Sequence, residues 1–294
     1  MLNNKKSVFS HQQRMAYFFI AVPVVLLLVF VIIPIGMAIY FSFTDYNVIN
    51  QPSWVGINNF RRMVNDPFLR IAISNTIRYT LLFVPLGVIV ALSTALLLNM
   101  KKPGSKLFRT LFYLPVLSSS VATAAIWNWL LNPSNGLINQ TLSLFGVDGP
   151  AWLHHSQWAM PVIVVMSVWM GFGGNMIIFL AGLQGIPEVL YEAARIEGAN
   201  KWQTFRYVTL PALSYTMFLV TTLLIINSFQ VFDQAFLLTQ GGPGNSTITI
   251  VYYIYNMGFG SLQMGYASAV SLGLFIIIFL VSTLNMRINN INRD

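Results

Sequence analysis

The sequence predicts an all-α membrane protein with six transmembrane helices, on three observations. Of its 294 residues, 56% are hydrophobic and only 8% are charged, against about 25% charged in an ordinary soluble domain. Its uncharged runs reach the roughly 20 apolar residues that a helix needs to cross a bilayer. Its cationic residues fall in the gaps between those runs, mostly in alternate gaps. In a soluble chain the net charge of +8 would suggest nucleic acid. Here it reads as a topology signal, with membrane lipid rather than nucleic acid as the surroundings. The absence of cysteine excludes disulfides, thiol catalysis and Cys-ligated metals.

The first run, residues 15–44, lies between Arg14 and Asp45 and holds 30 residues without a charge. Lys5, Lys6 and Arg14 precede it as they would precede a signal peptide. The run is much longer than a usual h-region of ~7–15 residues, and no small-x-small cleavage pattern follows. It is therefore expected to stay as a first helix, bent at Pro23 and Pro34, each of which removes a backbone hydrogen bond. The second run holds 22 residues between Arg78 and Lys101. The third, fourth and fifth are residues 110–131, 158–186 and 207–232. After Asp233 no charge appears until Arg287, but Gly241-Gly-Pro-Gly-Asn-Ser246 is a strong turn signal. Residues 265–286 then make the sixth span. Residues 248–259 are too few to cross and are expected to lie at the interface or re-enter.

Six spans put both termini on one side. That side carries Lys5, Lys6, Arg14, Lys101, Lys102, Lys106, Arg109, Arg195, Lys201, Arg206, Arg287 and Arg293; the other carries Arg61, Arg62, Arg70 and Arg78. The positive-inside bias places the richer side, with both termini, in the cytoplasm. The four remaining arginines flank Asp66-Pro67, in a segment that reads as an amphipathic helix on the outer surface.

No Asp, Glu, Lys or Arg lies deep within any run. A charge at the bilayer centre costs about 2.5–3.5 kcal/mol and usually marks an ion or proton path. Its absence speaks against a proton- or sodium-coupled carrier and against a voltage sensor. Asp233, at the edge of the fifth run, is either an interfacial residue or a contact to substrate or to an outer gate. No phosphate-cradling G-x-x-x-x-G-K-[ST] occurs. His154 and His155 are adjacent, cannot share a helix face as a metal pair, and read as a solvated loop. No catalytic or metal-binding set is expected and the chain carries no cofactor. If it moves a solute, its energy comes from another subunit.

The remaining charged island, Glu192-Ala-Ala-Arg-Ile-Glu-Gly198, has clear helix punctuation. Pro187 suits the first helical position and Gly198 the position just past the end. Glu188 suits the positive end of the helix dipole. The spacing predicts a helix over 187–197, a second short helix over 199–208, and Leu210-Pro211 opening the fifth run. Glu192 and Arg195 can pair on one face. One reading is a solvated hairpin between spans. The other is an amphipathic helix pair that enters a groove on a partner, which the small Ala193 and Ala194 beside Leu190, Ile196 and Trp202 favour.

Glu192-Ala193-Ala194, then Gly198, then Val208-x-Leu210-Pro211 resembles the EAA loop of ABC-importer permeases, with Val208 where the family more often has isoleucine. The resemblance runs from about residue 15 to 286. Trp54-Val-Gly-Ile-Asn-Asn-Phe60, Asp66-Pro67-Phe68, Asn75-Thr76, Phe108-Arg109, Leu114-Pro115, Trp127, Asn132-Pro133 and Gly136 are similar to the sugar-type permeases. Leu238-Thr-Gln-Gly-Gly-Pro243 resembles the outer loop of the maltose-type "F-like" half. The resemblance implies a type I importer permease fold. Residues 1–71 would hold a cytoplasmic N-terminus, one extra helix and an extracytoplasmic segment. A five-helix core would occupy 72–286, with the EAA loop at 187–211, before a cytoplasmic tail at 287–294.

It further implies a bacterial or archaeal inner membrane and a second, often different, permease subunit. Two cytoplasmic ABC ATPase subunits would carry ATP and Mg, and an extracytoplasmic sugar-binding protein would deliver cargo. ATP binding would draw the loops together and open the pathway outward; hydrolysis would reset it. Glu192, Ala193, Ala194, Gly198, Leu210 and Pro211 would couple to the ATPase. Substrate contacts would fall on Ser167, Met170, Gly171 and Gly174 before the loop, and on Asn227, Ser228 and Val231 after it. Gln230 joins them as a hydroxyl partner; Trp127, Trp129 and Trp169 are candidates to stack on a pyranose or to pack in an interfacial belt. Gly174 and Val231 replace polar or aromatic types of the maltose relative, which speaks against maltose. A glycerol-phosphate or polyol permease is the alternative, though the spans lack basic groups for a phosphate. An ATP-independent carrier or channel is the other.

Overall fold

The computed structural model describes residues 2–100 and 104–291; Lys101, Lys102 and Arg293, with the end of the predicted tail, lie outside them. Among the described residues, four helical stretches are long and apolar enough to cross a membrane: Met15–Ser42, Pro67–Asn99, Ser156–Gln184 and Met264–Arg287. Two more predicted spans are helix pairs, Ser105–Leu117 with Ser120–Leu130, bent by 97°, and Lys201–Ala212 with Ser214–Phe229, bent by 69°. The total is four, or up to six if each bent pair is one span. Where the sequence predicts a third and a fifth span over residues 110–131 and 207–232, the chain folds elbows. At the first, Ser118 and Ser119 are extended (ψ 142° and 135°), so the helix cannot continue through them.

The chain forms two compact units. The first comprises residues 1–65 and 254–273. Helix α1 (Leu2–Leu27) passes through Pro23, widens into a π-helical turn at Leu28–Ile32 and continues as α2 (Ile33–Ser42). The π turn ends two residues before Pro34. The same pattern recurs in the other unit, where a π turn at Phe205–Thr209 ends two residues before Pro211. A proline cannot donate to the carbonyl one turn back, and a wider turn keeps the chain helical around that gap. After α2, strands β1 (Thr44–Asp45) and β2 (Ser53–Trp54) pair antiparallel, followed by α3 (Asn58–Asn65). The Trp54–Phe60 motif builds this hairpin. Phe43 stacks on Trp54 at 5.5 Å and packs on Phe60. Asn59 Nδ2 donates to the carbonyls of Ser42 and Thr44 at 3.0 and 2.9 Å. Arg62, on α3, stands 3.9 Å over the Tyr266 ring, a cation–π contact.

The second unit comprises residues 66–253 and 274–294. It contains α4 (Pro67–Asn99), α5 (Ser105–Tyr113), α6 (Ser120–Leu130), α7 (Leu137–Leu144) and α8 (Ser156–Gln184). Next come α9 (Glu188–Ile196), α10 (Lys201–Thr204), α11 (Leu210–Ala212), α12 (Ser214–Phe229) and α13 (Asp233–Leu238). Last are α14 (Ile250–Tyr255) and α15 (Met264–Ile291), whose residues are shared with the first unit. α14 is too short to cross, as residues 248–259 predict.

Asp66 caps α4 by accepting from the Phe68 and Leu69 amides, and Pro67 follows at the position where its missing N–H is harmless. α8 is the spine of this unit: Met160, Ile163, Met166, Met176 and Phe179 are all at most 1% exposed. Glycines admit its neighbours. A Cβ on Gly173 would strike the Phe112 carbonyl, and one on Gly182 would strike Thr216. His155 caps α8 while His154 and His155 stay exposed.

Candidate functional site

Two sites emerge, a polar cavity and an exposed helical turn, both within the second unit. Ser167, Met170, Gly171 and Gly174 recur at intervals of three and four residues, which places them on one face of α8. Gly171 and Gly174 have nothing within 4 Å of where a Cβ would stand, so that face opens into free space. A cavity of about 360 Å³ is lined by Ser167, Met170 and Gly171 from α8. Asn227, Gln230 and Val231, at and just beyond the end of α12, line it opposite. Tyr79 and Phe83 from α4, and Phe232, Asp233 and Gln234 at the start of α13, complete it.

The predicted residues divide by where their polar atoms point. Asn227 and Gln230 are exposed to the cavity, and neither side chain has a hydrogen-bonding partner among the described residues. Ser167 Oγ donates to the Ile163 carbonyl at 2.7 Å and also meets Tyr79. Ser228 is fully buried and its hydroxyl donates to the Ile225 carbonyl at 2.7 Å, so it holds its own helix and does not line the cavity. Trp169 is also outside the lining; its ring lies 6.1 Å from that of Trp127. Trp129 is 60% exposed. Asp233 stands on the cavity wall and is its charged group.

Sequence reasoning passed over Tyr79 and Phe83, which stack at 5.2 Å. Their i, i+4 spacing in an apolar run gives no sign of a cavity about 90 residues before its Ser167 wall.

The loop at 240–250 fixes the cavity's α13 side. Thr249 Oγ1 donates to the Val231 carbonyl at 2.8 Å. Asn75 Nδ2 donates to the carbonyls of Asn245 and Ile248 at 2.8 and 3.0 Å, and Thr76 Oγ1 accepts from the Ile250 amide at 3.0 Å. This is what the Asn75-Thr76 pair does: it satisfies an irregular loop from a helix about 170 residues away. Each such bond to a buried carbonyl contributes roughly 0.5–1.5 kcal/mol.

The second site is the turn between α9 and α10. Pro187 stands at the N-cap of α9 rather than at its first helical position. Glu192, Ala193, Arg195 and Ile196 are exposed and Ala194 is half-buried. Among the described residues, neither the Glu192 nor the Arg195 side chain has a hydrogen-bonding or ionic partner, so the pair permitted by their spacing does not form. Gly198 sits at φ +76°. Its amide donates to Arg195 and that of Ala199 to Ala194, at 3.0 and 2.9 Å, which is a Schellman stop. Two residues on, Asn200 and Gln203 form a capping box that starts α10. α10 then runs through the π turn into Leu210 and Pro211, where the predicted 199–208 helix continues further than expected. Tyr191 Oη lies 3.3 Å from Thr209 Oγ1 and ties α9 to that segment.

Among the described residues, no three His, Asp or Glu approach closely enough to hold a metal ion.

Comparison with known proteins places this architecture. Over 92% of its length the chain is 34% identical to the lactose transport system permease protein LacF of Rhizobium radiobacter, covering 91% of that protein. Over 93% it is 35% identical to the arabinooligosaccharides transport system permease protein AraP of Halalkalibacterium halodurans, covering 87% of it. The fold matches a chain of a bacterial ABC transporter involved in the import of the acidic polysaccharide alginate, with TM-score 0.84 and 24% identity over 97% of this chain and 98% of that one. Residues 83–291 match the family described as binding-protein-dependent transport system inner membrane component, and the chain belongs to that family of ABC transporter permeases.

Proposed function

We infer that the chain is one permease subunit of an ATP-driven, binding-protein-dependent sugar importer, held in a bacterial or archaeal inner membrane with both termini cytoplasmic. The observation that carries the cargo reading is the cavity. It offers unpartnered Asn227 and Gln230 side chains beside Tyr79, Phe83 and Phe232. Sugars need paired donors and acceptors with an apolar ring face, and primary amides supply both hydrogen-bonding roles. Asp233 is negative and disfavours a phosphorylated cargo. The relatives named for lactose and arabinooligosaccharide transport support a neutral saccharide. A second permease completes the pathway.

The energy reading rests on the α9–α10 turn. An exposed helix with small Ala193 beside unpaired Glu192 suits a groove on an ATPase subunit, two of which would bind ATP and Mg. The binding protein delivers sugar from the opposite side. Gly198 supplies the turn, and Leu210 and Pro211 connect the docked element to α12.

Copurification in mild detergent tests this reading first: two ATPase subunits and one other permease should follow the chain, and a chain isolated alone would sink it. In the reconstituted complex, a panel of sugar-loaded binding proteins should stimulate ATP hydrolysis selectively. Combined N227A/Q230A removes two hydrogen-bonding amides, each about 0.5–1.5 kcal/mol. Uptake at saturating binding protein should fall roughly 5- to 100-fold while stimulation of ATP hydrolysis persists. Unchanged uptake would exclude both amides from the pathway.

A further inference from the structure

We propose that Thr249 is a positioning residue of the sugar pathway: its hydroxyl, acting through the Val231 carbonyl, sets where Gln230 points across the cavity. The inference rests on the cavity reading above and assigns a role to a residue outside the cavity lining.

The amide wall of the cavity is built on a break. α12 stops at Phe229 and α13 starts at Asp233. Gln230, Val231 and Phe232 between them are not helical, and all three line the cavity. A helix end leaves its last carbonyls without partners inside the helix. Local bonds hold this end weakly, since the Val231 amide reaches the Ser228 carbonyl only at 3.5 Å. Val231 is 5% exposed, so its carbonyl has little water to turn to. Thr249 Oγ1 supplies the partner at 2.8 Å and is itself buried.

Thr249 is fixed in turn by its surroundings. Its hydroxyl accepts from the Tyr252 amide at 3.4 Å, in the first turn of α14. Both of its neighbours are tied to α4, Ile248 through Asn75 and Ile250 through Thr76. Asn75, Tyr79 and Phe83 stand four residues apart and share one face of α4. The helix that carries the aromatic wall therefore also anchors the loop that holds the amide wall. This chain of side-chain bonds sets the gap between the two walls, and Thr249 is the link that touches the break. Phe232 stacks on Phe236 and Tyr252 at 5.2 and 6.4 Å. Stacking fixes how close the break lies to α14; the Thr249 bond adds the direction of the Val231 carbonyl. Without that bond the Val231 peptide can turn, and the Gln230 amide stays in the cavity but loses its aim.

Valine keeps the shape of threonine without its hydroxyl, which makes T249V the direct test. Uptake is read per assembled complex at saturating loaded binding protein, with the radiolabelled sugar that best stimulates ATP hydrolysis in the panel above. T249V and Q230A should each lower uptake about five- to tenfold, the scale of one lost hydrogen bond. Stimulated ATP hydrolysis should persist in both. Because Thr249 acts through Gln230, T249V/Q230A should be no more than about twofold worse than the poorer single variant. T249S keeps the donor and should transport within about twofold of wild type. Normal uptake by T249V overturns the proposal, as does normal uptake by Q230A. So does a double variant in which the two losses multiply to about 25-fold or more, because independent sites add in free energy. A T249S complex as poor as T249V would show that the hydroxyl is not what matters. A T249V chain absent from the membrane would make the bond one of folding and also overturn the positioning role. If N227A/Q230A transports normally, the cavity reading fails and the role of Thr249 falls with it. An impaired Q230A beside an unaffected T249V rejects Thr249 alone.

Discussion

Replacing Glu192 with lysine is expected to remove uptake while leaving a folded protein in the membrane. Glu192 is exposed on α9 and makes no contact that the fold needs. Lysine and glutamate have similar helix propensities, and surface changes of this kind usually stay within about 0.5 kcal/mol of neutral. Stability therefore gives the exchange little to act on. Across an interface the outcome differs. Truncating one member of a desolvated, hydrogen-bonded charge pair costs about 2–5 kcal/mol, and reversing the sign adds repulsion to the loss. Uptake into vesicles should fall at least about 30-fold, the factor that 2 kcal/mol represents. Binding-protein-stimulated ATP hydrolysis should fall with it, at unchanged membrane abundance. Normal uptake by E192K would take Glu192 out of the coupling machinery. The loss of uptake together with membrane abundance would point to a folding role that its exposure does not suggest.

The parts of this molecule that depend on local composition could be read before folding. The uncharged runs mark the spans, because bilayer crossing depends on little beyond length and apolarity. The EAA helix was legible from Pro187 and Gly198, since helix ends are set by residues that satisfy or release backbone groups within one turn. Elbows were harder. Residues 110–131 and 207–232 have the hydropathy of single spans, and their 97° and 69° bends fall at the extended serines in one case and at Leu213, whose backbone (φ −85°, ψ 2°) leaves the helical range, in the other. The prolines pointed to local disturbance, but Pro34 and Pro211 are each met by a π turn that keeps the helix running. The cavity was half legible. Its α8 face follows from spacing, and Asn227 with Gln230 from chemistry. Tyr79 and Phe83 reach it through long-range packing that no sequence window contains. The same reason hid the anchoring of the 240–250 loop by Asn75 and Thr76.

Gly198 separates two explanations of the turn, and a substitution series there distinguishes them. At φ +76° an L-residue pays roughly 1–2 kcal/mol, and a β-branched residue is worse placed still. Nothing lies within 4 Å of a Cβ at this position, so the penalty is one of backbone conformation and not of crowding. A chain that relaxes to negative φ loses the Schellman bonds to Arg195 and Ala194, and α10 leaves α9 in a different direction. The Tyr191–Thr209 link and the elbow beyond it are then misaimed. Uptake should accordingly rank Asn above Ala above Val, because asparagine tolerates the left-handed region. G198V should transport at least as poorly as E192K. Membrane abundance should hold across the series, since the turn is exposed. Equal impairment of all three variants would instead mean that a partner surface excludes any side chain at 198, and the glycine would be needed for its lack of a Cβ and not for its φ. A fully active G198V would remove the turn from the coupling path, because no other position between α9 and α10 takes the left-handed conformation that joins them.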